Sequence, residues 1–192
     1  MNILFINACP RTDSRTKILA DYLLTKLSGN IQERNLAKTT LLPLSEDRLE
    51  RRTALAEKKN FNHSLFQLAN EFAAADMIVI AAPFWDLSFP ALLKIYIENI
   101  NIVGITFAYN KDGTPYSLCK AKKLYYVTTA GGPIVNDNYG YGYVKELAQN
   151  FYAIPEIYCI KAENLDIENA DMEQIMHDTK CRIDTLLEEK HL

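Results

Sequence analysis

The chain has no Cys-x-x-Cys pair. Its four cysteines, Cys9, Cys119, Cys159 and Cys181, are widely scattered, which excludes a local metal or disulfide framework and predicts reduced thiols. It has no apolar stretch of membrane-spanning length; Met77 to Trp85, the longest candidate, is strand-sized. No basic region precedes Ile3–Ile6 and that run is too short for a signal peptide, so a cytoplasmic protein is expected. Charge of either sign is not in large excess: the net value of −3 argues against nucleic acid as the main partner. Histidine is scarce, and His63, His177 and His191 lie in polar helical contexts that read as surface. No internal repeat or low-complexity segment is present.

What is present is an ordinary globular composition, 48% hydrophobic and 23% charged, over 192 residues, enough for one domain with a full core. Its first sixteen residues, MNILFINACPRTDSRT, organise the rest. Asn2 to Asn7 is an apolar run that suits a strand buried on both faces, and Cys9 to Ser14 reads as a turn. Thr16 to Leu27 has helical spacing, with Ser14 or Asp13 where an N-cap belongs. Strand, polar loop and helix N-terminus form a phosphate-binding geometry, to which Arg11 and Arg15 add positive charge and Ser14 and Thr16 hydroxyl donors. The same pattern also opens many α/β domains whose Arg-rich loops are simply solvated.

Further along, Ile31 to Leu36 reads as a modest edge strand. The charged excursion at 41–62 is a lid, an interface element or a solvated helix. Phe61 to Ala75 is amphipathic, and Met77 to Ala82 is the clearest core strand. A helix from Pro90 to about Ile100 follows, then a hairpin-like turn at Asn110–Gly113. Lys123 to Thr129 is a fourth strand, Tyr143 to Tyr152 a helix, Glu156 to Ile160 a fifth strand, and Glu168 to Glu189 a closing helix. Alternation of helix and strand predicts a parallel sheet covered on both faces. Strands one, three and four end in CPRTDSRT, PFWDLS and TTAGGP, and ligands of open α/β sheets bind beyond such ends. Phe84 and Trp85 form either a wall for a flat ring or a core plug. Asp86 either bonds a ring substituent or caps the next helix. Gly131 and Gly132 either let a backbone approach a ligand or shape a turn. Tyr139, Tyr141 and Tyr143 are aromatics punctuated by glycine that either close over a ring or pack in the core.

Two families share these motifs. Cys9, Arg15 and Thr16 spell C-x5-R-[ST], which resembles the low-molecular-weight tyrosine phosphatases, where a low-pKa Cys attacks phosphorus and the Arg grips its oxygens. That family's acid, an Asp before Pro, has no counterpart, because no Asp-Pro occurs here. The loops CPRTDSRT, APFWDLSFP and TTAGGP, with ITFAYNKDGTPYSLCKAKKLYYVTTAGG, resemble the flavodoxin-like NAD(P)H:quinone reductases and, more closely, the FMN-dependent NADH-azoreductases. This resemblance runs from Met1 to about Gly132. It implies a three-layer flavodoxin-like fold with a five-stranded parallel sheet of order 2-1-3-4-5. It also implies tightly bound FMN, with NADH or NADPH as co-substrate and a quinone or azo acceptor served by a ping-pong mechanism. Ser14, Arg15 and Thr16 would hold the FMN phosphate, with Cys9 and Arg11 in the same loop. Pro83, Phe84, Trp85, Asp86 and Leu87 would line the isoalloxazine, and Thr128, Thr129, Gly131 and Gly132 its pyrimidine edge. A homodimer with the site at the interface is implied too. Two departures stand out: Asp86 where that family usually has Asn, and Trp85 where Tyr is common. A flavodoxin-type electron carrier is the remaining alternative; carriers are typically strongly acidic, and this chain is mildly so.

Overall fold

The computed structural model describes residues 1–189; His191 lies outside them. Five parallel strands form the central sheet: β1 (Asn2–Asn7), β2 (Asn30–Asn35), β3 (Met77–Ala81), β6 (Lys123–Thr129) and β7 (Glu156–Ala162). Their spatial order is β2-β1-β3-β6-β7, the flavodoxin-like order of the sequence reading. Register is continuous across the sheet, from Ile3 beside Ile31 and Met77 to Thr129 beside Ala162.

Alternation along each buried strand divides the core into two layers. Leu4, Ile6, Ile78, Ile80 and Tyr126 face one side, against α3 (Gln67–Ala74), α4 (Ala91–Ile100) and α5 (Tyr141–Asn150). Ile3, Phe5, Val79, Tyr125 and Val127 face the other, against α1 (Arg15–Lys26) and α6 (Met172–Glu188). A strand buried on both faces is apolar through its interior, which is why Ile3–Ile6 and Met77–Ala81 read without polar interruption; the buried Asn7 at the end of β1 hydrogen-bonds Glu33 and the Cys9 N–H. The edge strand β2, NIQERN, is exposed along most of its length.

The remaining differences from the sequence pattern have local causes. The expected helix from Phe61 is delayed: His63 accepts the Leu65 N–H at its Nδ1 (3.1 Å), a short 3-10 turn spans Ser64–Phe66, and α3 begins at Gln67. His63 is therefore a half-buried capping residue, whereas His177 is exposed on α6. The closing helix starts at Met172 because Asp171 caps it, its Oδ1 accepting the Gln174 N–H (2.9 Å). The Asn110–Gly113 turn joins β4 (Phe107–Tyr109) to β5 (Pro115–Ser117), an antiparallel pair outside the main sheet. Inside the charged excursion lies α2 (Glu46–Glu57), all of whose residues are exposed or half-buried. It is tied to α4 by Arg48, donating to Asn99 Oδ1 (3.3 Å), and by Arg52, donating to the Glu98 carbonyl (3.2 Å). Among the described residues no helix is long and apolar enough to cross a membrane.

Candidate functional site

Backbone bonds bring the strand ends to one level. The Ala8 N–H reaches the Ala81 carbonyl (2.8 Å), Ala82 reaches Val127 (3.0 Å), Phe84 reaches Thr129 (2.9 Å) and Ala130 reaches Ala162 (2.9 Å). Beyond them opens a cleft of about 670 Å³, at the switch in strand order between β1 and its two neighbours.

One wall is Pro10 to Thr16. Ser14 is the N-cap of α1, in extended conformation, so the first turn of the helix points its N–H groups at the cleft. Thr16 is buried, and its hydroxyl shares a 2.6 Å hydrogen bond with that of Thr129, which locks the helix start to the end of β6. The Arg15 guanidinium lies along the wall, donating to the Leu165 carbonyl (3.1 Å) and to Asp166 Oδ1 (2.8 Å). Arg11 sits with its guanidinium carbon 6.0 Å from the centre of the Trp85 ring.

Cys9 does not join this wall. Its side chain is buried behind the loop, with the sulfur 3.7 Å from the Ala81 carbonyl, and its own N–H is held by Asn7 Oδ1 (3.0 Å). Burial pushes the thiol up to about 11, a hydrogen bond with Ser14 offsetting only part of the effect. A phosphatase nucleophile needs the opposite, an accessible and acidified thiol. The C-x5-R match is therefore a likeness of spacing without the phosphatase's accessible thiol.

The second wall is Pro83 to Asp86. Trp85 and Ser88 exchange both backbone hydrogen bonds (3.1 and 2.7 Å), closing a two-residue turn. Its central residues have positive φ, Asp86 at 49° and Leu87 at 64°, the φ signature of a type I′ hairpin turn. Asp tolerates that conformation as Asn does, which accounts for Asp86 in backbone terms. Its exposed side chain does not cap α4, whose N-cap is Pro90. Leu87 projects away from the wall and is 67% exposed. Phe84 is half-buried against Gly140, and Tyr141 and Tyr143 pack on Tyr126 and Phe89, so those two tyrosines belong to the core layer. Tyr139 is exposed, and its carbonyl accepts the Ser88 hydroxyl (2.5 Å).

The third wall is Thr129 to Gly131. Thr128 points into the opposite layer, buried, with a hydroxyl that has no hydrogen-bond partner among the described residues. Gly132 lies just beyond the wall with open space where a Cβ would be. Gly131 differs: a Cβ there would lie 2.4 Å from Asp166 Oδ2, so the Asp166 carboxylate occupies the room its missing side chain leaves. Asp166 and Met172 complete the lining. The sequence pattern, which ends the last strand at Ile160, singles out neither. The strand runs to Ala162, and its loop folds back: the Leu165 and Asp166 N–H groups bond the Ala130 and Gly131 carbonyls (3.2 and 2.9 Å).

Two arginines and a helix N-terminus, an aromatic turn and a glycine backbone thus line one cleft, groups of the kinds that suit a phosphate, a flat ring and a polar ring edge. Among the described residues no group of His, Cys, Asp and Glu could hold a metal ion.

Comparison with known proteins agrees with this layout. A family model described as "Flavodoxin-like fold" matches residues 1–182. FMN-dependent NADH:quinone oxidoreductase 2 of Clostridium acetobutylicum is 34% identical over 189 aligned positions, 92% of this chain and 93% of the relative. An FMN-dependent NADH:quinone oxidoreductase of Lachnoclostridium phytofermentans is 34% identical over 180 positions, covering 89% and 90%. Among solved structures, an FMN-dependent NADH-azoreductase of Bacillus anthracis in complex with FMN superposes with a TM-score of 0.82 at 20% identity, over 98% of this chain and 99% of the other. At that identity the likeness is one of fold.

Proposed function

The chain belongs to the flavodoxin-like fold family, and from that premise we propose that it is an FMN-dependent NADH:quinone oxidoreductase that also accepts azo compounds. The observation that carries the reading is the three-walled cleft at the sheet's switch point, in a chain 34% identical to an enzyme of that name over nearly its full length. FMN, when bound, supplies the hydride acceptor and donor chemistry that no side chain here has.

The protein's part is binding and orientation. Arg11, Arg15, Ser14 and the first N–H groups of α1, that of Thr16 among them, would hold the phosphate, the Thr16 hydroxyl being taken by Thr129. Pro83, Phe84, Trp85 and Asp86 would form the wall for the ring, and backbone N–H groups at Gly131 and, just beyond the wall, Gly132 would be the donors for its pyrimidine edge, as fixed dipoles that favour negative charge there. One open cleft used in turn by NADH and by a flat acceptor gives ping-pong kinetics. The proposed assembly is a homodimer with the cleft at the interface. Exposed Leu42, Leu49, Val135 and Tyr139 support it as large apolar side chains that a second copy would cover. The proposed compartment is the cytoplasm, in keeping with four unpaired cysteines.

The test is the visible spectrum of the purified protein after incubation with FMN and desalting. Retained flavin that bleaches with NADH under anaerobic conditions and recovers with a quinone is the expected result. Retained flavin that NADH fails to bleach would make the protein a carrier instead.

A further inference from the structure

Arg15 is the cation best placed for the cofactor's phosphate, and it is already engaged by an anion. Asp166 Oδ1 lies 2.8 Å from one terminal nitrogen, and the Leu165 carbonyl accepts a hydrogen bond from the other. The backbone beneath the Asp166 carboxylate is fixed. Its N–H bonds the Gly131 carbonyl and the preceding Leu165 is buried, while the carboxylate fills the space left by the missing Gly131 side chain. Asp166 and Arg15 side chains are 63% and 32% exposed, so the pair is a solvent-screened bridge that contributes little to folding. Of the charged side chains lining the cleft, Arg11 and Arg15 are cationic and Asp13, Asp86 and Asp166 anionic. A phosphate monoester arriving with nearly two negative charges meets a cleft that is already net negative.

We infer that Asp166 is a resident competitor for Arg15 that sets the preference for phosphorylated over unphosphorylated flavin. Loading exchanges the carboxylate for the phosphate on one guanidinium, and the exposed carboxylate returns to water. The inference rests on the FMN reading above. It assigns Asp166 a selectivity role, and it gives the glycine at position 131 a part in it, since the missing side chain leaves the competing carboxylate room beside Arg15.

Flavin fluorescence quenching by the apoprotein gives dissociation constants for FMN and riboflavin without any turnover. Asp166→Asn and Asp166→Ser should each tighten FMN by about three- to tenfold, the difference between a charge-assisted phosphate contact and a screened surface pair. Riboflavin binding should change by less than about twofold, since it brings no phosphate to Arg15. In an Arg15→Met background the same substitutions at 166 should give less than half of that gain, because the contested group is gone. Weaker FMN binding in both variants would overturn the inference and make Asp166 a positioning residue for Arg15. Equal tightening of FMN and riboflavin would overturn it by placing the effect at the ring. Failure of the unmodified protein to quench FMN at all would remove the flavin reading itself, a result distinct from either.

Discussion

Cys9 shows how little a spacing says about a side chain's surroundings. Its place after β1 and before Arg15 is that of a nucleophile, yet the sulfur is turned toward Ala81 and burial raises its pKa to about 11. At pH 8 its thiolate population should be about a hundredfold below that of a thiol at the ordinary value of 9.0, so iodoacetamide should label Cys9 about a hundredfold more slowly in the native protein than after unfolding. Cys9→Ser should leave the quinone reductase kcat/KM within about twofold, because the side chain touches no reacting group. That Arg11, Ser14, Arg15 and Thr16 share one wall of the cleft was legible in the sequence, because a strand–loop–helix start gathers local residues in a short window. Asp166 was not. Its partner is 151 positions away, and nothing in ENLDIENAD distinguishes a carboxylate facing a cleft from one facing water.

Among the elements, the turn at Trp85–Ser88 holds two consecutive residues at positive φ, a conformation that a γ-branched residue such as Leu adopts at a cost. Leu87→Gly should therefore stabilise the protein by about 1 kcal/mol, raising Tm by about 2–4 °C in a thermal melt. A fall in Tm would mean that Leu87 gains more from its apolar contacts than it loses in strain. Helix α2 presents the opposite case. It equals α1 in length, 12 residues each, but α1 buries Thr16, Leu19, Ala20, Leu23 and Leu24 while α2 buries none. Its amides should exchange with deuterium at least about tenfold faster than those of α1, read by mass spectrometry. Element type was legible almost everywhere, since two-sided burial writes itself as unbroken apolar runs. Element ends were not: α3 and α6 start where a cap, His63 for the preceding turn or Asp171, accepts a backbone N–H, and caps compete with equally polar neighbours.

At the scale of the whole molecule, the strand order concentrates chemistry at one end of the sheet and leaves the other end to packing. The order was legible only through likeness to known proteins, because helix–strand alternation is compatible with several ways of winding a sheet. The proposed dimer predicts a light-scattering mass near twice the 21.9 kDa of the chain, and dilution to monomer should release FMN. A monomer that keeps FMN would show that one chain suffices for the cleft. The fit between Gly131 and Asp166 also has a consequence for descent. Two positions 35 apart in the chain compete for a single atom's worth of space, so they are not free to drift independently. Across a lineage, a side chain gained at 131 should be accompanied by loss of the acid at 166 or by its turning out to solvent, away from Arg15.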